Sequence, residues 1–236
     1  LFEYHLESEI THHFMNQGAR FVAYPSIVGG GDNSCILHYI ENNSKLESGD
    51  LVLIDAGCEL DCYASDITRT FPVNGRFNPE QRAIYQIVLD AQIAAIAEVK
   101  PGNHWNHPHE AAVKVITEGL IELGLLEGPV DEAIKSERYK KFYMHRTGHW
   151  LGLDVHDVGE YKVEGEWRAL EPGMVLTVEP GIYISPSCKD VAKKWRGIGV
   201  SIEDDVVVTK NSNKVLSASA PKTIEEIETL MARSQP

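Results

Sequence analysis

The sequence predicts an α+β fold, and three observations carry that reading. Residues 50–75 read as a strand, a tight polar turn and a returning strand. Two helical stretches follow, the first opened by a capping box. Residues 173–184 and 197–209 then form two further apolar strands, each interrupted by carboxylates.

In chain order, Phe2–Gln17 has helical spacing with Gly18 as its C-cap. His5, His12 and His13 lie on this helix, and without an HExxH pattern they read as solvated residues. Gly29-Gly30-Gly31 lacks the GK[ST] sequel of a phosphate loop and reads as a turn between strands. His38, inside the apolar CILHY segment, is evenly balanced between a core histidine and a site residue.

Within DLVLIDAGCELDCYASDITRTFPVNG, Leu51–Ile54 is a buried strand ending on Asp55, Glu59-Leu60-Asp61 is the turn, and Tyr63–Phe71 returns. Asp55 and Asp66 are expected to face each other across this hairpin. Two like charges beside apolar strands repel unless a cation or proton lies between them.

Asn78–Lys100 is the clearest helix, with Asn78 as N-cap, Pro79 at its first position, Gln81 closing the capping box and Pro101-Gly102 as the stop. A second helix runs over Pro108–Leu123, with His104, His107 and His109 expected at the surface of its polar lead-in. Asp131–Lys141 is a short third helix. Met144–Gly159, MHRTGHWLGLDVHDVG, then concentrates His145, His149 and His156 among Trp150, Leu151 and Leu153. Histidine is the commonest metal ligand and proton carrier near neutral pH, so this stretch reads as the centre of an active site. Tyr161–Glu171 is a polar loop. GMVLTVEPGIYI is a buried strand broken at Glu179-Pro180-Gly181, and GIGVSIEDDVVVT carries Glu203, Asp204 and Asp205 between apolar runs. A carboxylate buried mid-strand is costly unless paired or metal-bound. Thr223 and Glu226 form another capping box for a closing helix.

The totals narrow the function classes. A net charge of −13 over 236 residues argues against nucleic acid or an anionic membrane as partner. No apolar run approaches the roughly 18 residues of a membrane span. Cys35, Cys58, Cys62 and Cys188 fit neither a disulfide framework nor a paired zinc ribbon, so reduced thiols in a cytoplasmic protein are expected. With no low-complexity linker, residues 1–236 are expected to form one domain. The start on Leu1, already inside a helical pattern, suggests a fragment.

Together, Asp55, Asp66, His149, Glu179 and Glu203 offer four carboxylates and one imidazole, a donor set for manganese, cobalt, iron or zinc. Five ligands exceed a lone catalytic zinc, whereas two divalent ions sharing carboxylates match them in number and charge. That pattern points to hydrolysis.

These motifs, namely the DAG…D hairpin, HxxxHWLGLDVHDVG, LTVEPGIYI and GIG…IEDD, resemble the metallopeptidases of the pita-bread fold, and within them the Xaa-Pro aminopeptidases. The resemblance implies a curved, mostly antiparallel sheet flanked by helices in pseudo-twofold halves. It implies two divalent ions, manganese first. Asp66 and Glu203 would bridge them, Asp55 would complete one shell, and His149 and Glu179 the other. A hydroxide bridging the ions would attack the Xaa-Pro bond, with Glu179 as proton shuttle. His38 and His156 would steady the intermediate and the leaving proline nitrogen, and His145 and Tyr183 would line the proline side. Prolidase-like dipeptidase activity is the enzymatic alternative, and a non-catalytic peptide-binding module the alternative from another class.

Two departures from the family pattern stand out. Ser201 occupies the place where the family usually has arginine, which predicts reduced activity. The resemblance also implies a smaller N-terminal domain that is not expected within these 236 residues, so the dimer or tetramer expected of the full-length protein is not carried over to this stretch.

Overall fold

In a computed structural model that describes residues 1–233, helices and antiparallel sheets build the α+β fold. Helix α1 (Glu3–Asn16) leads into β1 (Phe21–Val22) and β2 (Ile27–Gly30). The hairpin region comprises β3 (Leu51–Ala56), β4 (Cys58–Leu60), β5 (Tyr63–Ala64) and β6 (Ile67–Pro72). Helices α2 (Pro79–Glu98), α3 (His107–Glu122) and α4 (Val130–Lys135) follow. The second half holds the small hairpin β7 (Lys162–Val163) and β8 (Glu166–Trp167), then β9 (Val175–Val178), β10 (Gly181–Ile184), β11 (Ile198–Ser201), β12 (Asp204–Val208) and β13 (Asn213–Val215), and closes on α5 (Ile224–Arg233).

Besides the small antiparallel sheet β1-β4-β5, each half of the chain contributes one three-stranded antiparallel sheet, β2-β3-β6 and β13-β12-β9, while β10 pairs with β11. The main core lies between these sheets and the helices α2 and α3, which bring Ile84, Val88, Ala91, Ala112 and Ile116 against Val178, Ile182, Val200 and Val206. Burial of these aliphatic faces, rather than intrinsic helix propensity, supplies most of the helices' stability. The cap of α2 forms as expected: the Asn78 side chain accepts from the Gln81 amide and the Gln81 side chain accepts from the Asn78 amide. Thr223 and Glu226 exchange the equivalent bonds at the start of α5.

Several expectations need correction. Gly29 and Gly30 are strand residues, not a turn, and the chain turns only at Gly31, with φ +53°. They are glycine because neighbours crowd them: a Cβ on Gly30 would lie 2.3 Å from the Leu46 side chain. The returning hairpin strand is split, and Asp66 falls in the gap between β5 and β6. Asp55 therefore sits opposite Thr68 rather than Asp66. The third helix ends at Lys135, and residues 138–141 form a separate 3-10 turn. The Tyr161–Glu171 loop contains the β7–β8 hairpin.

His109 was expected at the surface and is buried. It lies on the face of α3 shared with Ala112, Val113 and Ile116, so helical periodicity turns it inward. His5, His12 and His13 are exposed as expected. All four cysteines are free thiols, and no helix among the described residues is long and apolar enough to cross a membrane.

Candidate metal centre and substrate cavity

The candidate ligands sit where strands end or break. Asp55 is the last residue but one of β3, Asp66 lies between β5 and β6, Glu179 between β9 and β10, and Glu203 between β11 and β12. At a break the backbone amide has no ladder partner and must find another. Asp66 N donates to Asp205 Oδ2 (3.2 Å), Glu179 N to the Thr147 carbonyl (2.8 Å), and Glu203 N to the Thr68 carbonyl (3.0 Å). Each carboxylate is thus held by a bond to a remote part of the chain.

Asp66, His149 and Glu203 each place one ligand atom within 4.8 Å of the others. His149 Nε2 is 3.3 Å from Asp66 Oδ2 and 3.6 Å from Glu179 Oε1. His149 Nδ1 lies 2.9 Å from the Trp150 carbonyl, which can only accept, so Nδ1 carries the proton and Nε2 turns toward the carboxylates. The backbone reaches this geometry because residue 148 is glycine: a Cβ there would stand 2.1 Å from the Thr177 carbonyl oxygen. Thr177 Oγ1 accepts from the His149 amide and donates to Glu179 Oε1. The Tyr24 hydroxyl contacts both Asp55 Oδ1 (2.5 Å) and Asp66 Oδ1, joining the two aspartates that do not face each other in the ladder. Thr68 Oγ1 donates to Glu203 Oε2 at 2.6 Å.

The electrostatics follow from packing carboxylates together out of water. Burial first, then the charges of Asp66 and Glu179, hold the Glu203 carboxyl well above the usual range. Burial and Asp66 do the same for Asp55, with the Tyr24 hydrogen bond opposing. Burial lifts Glu179 to about 7 against the pull of His149. Burial disfavours the His149 cation, but Asp66 and Glu179 outweigh it and raise that imidazole to about 9. Burial also pushes Asp205 up to about 7, and its Oδ1 is buried without a partner.

Among the described residues no lysine or arginine forms an ion pair with Asp55, Asp66, Glu179 or Glu203. Converging oxygens, one correctly turned imidazole and mutual repulsion make a donor set that suits a hard or borderline divalent cation. The residues fit the group.

A cavity of about 280 Å³ opens above this cluster, near the lower end of small-ligand pockets. Asp55, Glu179, His149, His38, His145, His156 and Tyr183 all line it, while Asp66 and Glu203 lie behind this wall. His145 Nδ1 meets its neighbour's carbonyl, so Nε2 accepts from the Tyr183 hydroxyl at 2.9 Å. Burial holds the His145 and His156 imidazoles below their ordinary value. His156 stands edge-on to His149, ring centres 4.3 Å apart. His38 is exposed and held at φ +56°, a conformation a non-glycine residue adopts only under constraint. Ser201 also lines the cavity, its hydroxyl 3.4 Å from the Pro180 carbonyl.

Sequence reasoning did not single out Tyr24, Thr68 or Asp205. Tyr24 carries no local signal. Asp205 was visible as one of three carboxylates in IEDD, but only the pairing of β12 distinguishes its task from that of its neighbours.

The model of metallopeptidase family M24 matches residues 1–210. The chain is 55% identical to a Xaa-Pro aminopeptidase of Haemophilus influenzae, over 98% of this chain and 53% of that protein. It is 52% identical to the Xaa-Pro aminopeptidase of Escherichia coli, over 100% of this chain and 53% of that protein. Among solved structures it superposes on Pseudomonas aeruginosa aminopeptidase PepP with TM-score 0.98 and 66% identity, covering 100% of this chain and 54% of that one. Zinc-substituted Escherichia coli aminopeptidase P in complex with product gives TM-score 0.97 at 52% identity, covering 100% and 53%. The chain thus spans about half the length of the relatives it matches, and the likeness bears out the pita-bread fold.

Proposed function

The chain belongs to metallopeptidase family M24, and on that premise we propose that it is the catalytic part of a Xaa-Pro aminopeptidase, releasing the N-terminal residue from peptides with proline second. The observation that carries this reading is the convergence of Asp66, His149 and Glu203, with Asp55 and Glu179 beside them, beneath a cavity walled by His38, His145, His156 and Tyr183.

Asp55, Asp66, His149, Glu179 and Glu203 would hold two divalent cations, manganese being our first choice. When bound, such cations acidify water and stabilise negative charge developing on a carbonyl oxygen. The chain's own groups do the rest. Glu179 Oε2 faces the cavity 3.7 Å from His145 Nδ1 and takes the proton of the attacking water, then returns it toward the departing amine. His156 and His38 offer N–H groups to the carbonyl oxygen and the proline nitrogen. Tyr183, its hydroxyl tied to His145, forms the wall against which the proline ring packs. Proline's missing N–H and fixed φ set such a bond apart from ordinary peptide bonds.

The test pairs manganese stoichiometry with hydrolysis of a Xaa-Pro-Yaa tripeptide and a Xaa-Pro dipeptide. Turnover of the tripeptide supports the reading. Exclusive turnover of the dipeptide replaces it with a prolidase-like activity, and bound metal without turnover of either overturns both.

A further inference from the structure

We propose that Arg146 is a specificity residue whose guanidinium receives a carboxylate on the substrate, downstream of the scissile Xaa-Pro bond. The inference rests on the aminopeptidase reading above and names a preference within it.

Arg146 is the one arginine or lysine among the described residues lining the cavity. It is exposed, and among the described residues its side chain forms no ion pair and a single hydrogen bond. That bond runs from Nη2 to Asn106 Oδ1, and Asn106 Nδ2 in turn donates to Glu110 Oε1 at 2.6 Å. A carboxylate only accepts, so Glu110 fixes the Asn106 amide with its oxygen toward Arg146. The guanidinium also lies 5.2 Å from the centre of the Trp167 ring, whose ring centre is 4.3 Å from Lys162 Nζ. Arg146 is therefore held from behind by an amide and an aromatic plane. Among the described residues its remaining N–H groups have no protein acceptor. A guanidinium fixed in this way presents the planar fork that pairs with a carboxylate.

Charge decides which part of a peptide would meet it. The cavity wall carries Asp55 and Glu179, whose charge bound divalent ions would offset, whereas Arg146 keeps its charge and repels the substrate's ammonium end. The chain beyond proline then runs toward Arg146. Arg146 directly follows His145, whose ring is 3.7 Å from Glu179, and lines the same cavity, so the substrate residues to be reached are those just beyond proline, at about 3.5 Å of extended chain each. The carboxylate could be the C-terminus of a short peptide or an acidic side chain of a longer one.

Steady-state kinetics on the manganese-loaded protein separates these sources. One arm compares Ala-Pro-Ala with its C-terminal amide. The other compares Ala-Pro-Glu-Ala-amide with Ala-Pro-Gln-Ala-amide. In at least one pair the carboxylate substrate has a kcat/KM about tenfold higher, carried by KM, as one exposed charge-assisted contact allows. Arg146→Met brings that ratio close to one, Arg146→Lys retains part of it, and Arg146→Glu inverts it. Pro-Ala and Pro-Ala-amide, as competitive inhibitors, show the same dependence on residue 146. A ratio near one in both pairs with the unaltered protein, or a ratio that survives Arg146→Met, overturns the proposal while leaving the aminopeptidase reading intact. Failure to cleave any of the four peptides overturns both.

Discussion

Glu203 and Asp204 are adjacent, both are buried, and they are treated in opposite ways. Asp204 is fully enclosed, yet Arg69 Nη2 stands 2.8 Å from one oxygen and Lys222 Nζ 2.6 Å from the other. Ser217 and Gln92 donate as well. Burial works against the Asp204 charge, but Arg69, Lys222 and these donors hold its carboxyl below the usual range. Glu203 projects to the other side of the same segment, where its neighbours are more carboxylates and, among the described residues, its one hydrogen-bond donor is Thr68. The chain compensates the structural charge with its own cations and leaves the other group for a cation from outside. Two buried acids in sequence thus separate into a strut and a ligand.

The largest effect expected from this contrast is on chemistry. Glu203→Gln should lower kcat on a Xaa-Pro tripeptide by roughly a thousandfold, on the scale of several kcal/mol of lost charge stabilisation. It should leave the metal-free protein no less stable, because one of several repelling carboxylates is gone. Manganese at a hundredfold excess over its Kd should stabilise the unaltered protein by about 2.7 kcal/mol in denaturant titration, and the variant by much less. Equal stabilisation of both would remove Glu203 from the ligand set.

Arg69→Met addresses the other half of the contrast. Among the described residues it leaves Asp204 with Lys222 as its remaining cation, and it also withdraws the donors to the Thr68, Glu203, Ala220 and Pro221 carbonyls. A loss of about 3 kcal/mol is expected, the low end for breaking a buried pair, and it should be the same with and without manganese. A loss confined to the metal-loaded protein would mean that the two clusters are one.

The smallest effect concerns His109, a third buried ionisable group that is kept neutral rather than neutralised. Its Nδ1 meets the Thr147 hydroxyl at 2.7 Å, and burial first, then nearby Arg146, depresses its pKa to about 3. With the folded value below the unfolded one, the unfolded chain binds more protons as pH falls below about 6.5. The native state therefore loses stability from there down through about 3. His109→Gln should be about 1 kcal/mol less stable at pH 7, with the gap closing and then reversing toward pH 4. A gap constant with pH would show that His109 titrates normally.

These contrasts explain how much could be read from the residues. Helix α2 was legible because its cap and stop are local chemistry, and so were the breaks at Glu179 and Glu203, where a carboxylate interrupts an apolar run. Asp55 and Asp66 stood out as carboxylates of an apolar hairpin, and His149 as one of three clustered histidines. His109 was misread because its lead-in is polar while its helix face is not. His38 was undecided because an apolar segment gives no warning that the backbone will hold it outward at a positive φ. Tyr24, Thr68 and Asp205 act only through contacts made when distant strands meet, and no local spacing encodes that.

The breaks that carry the ligands have a consequence for hydrogen exchange. The amides of Asp66, Glu179 and Glu203 belong to no ladder, so a secondary-structure map would class them as open to solvent. Each is nevertheless bonded to a distant segment, to Asp205, Thr147 and Thr68. Their deuteration should be slow and should quicken together when those segments part. Three amides outside the regular sheets would then report the integrity of the whole centre.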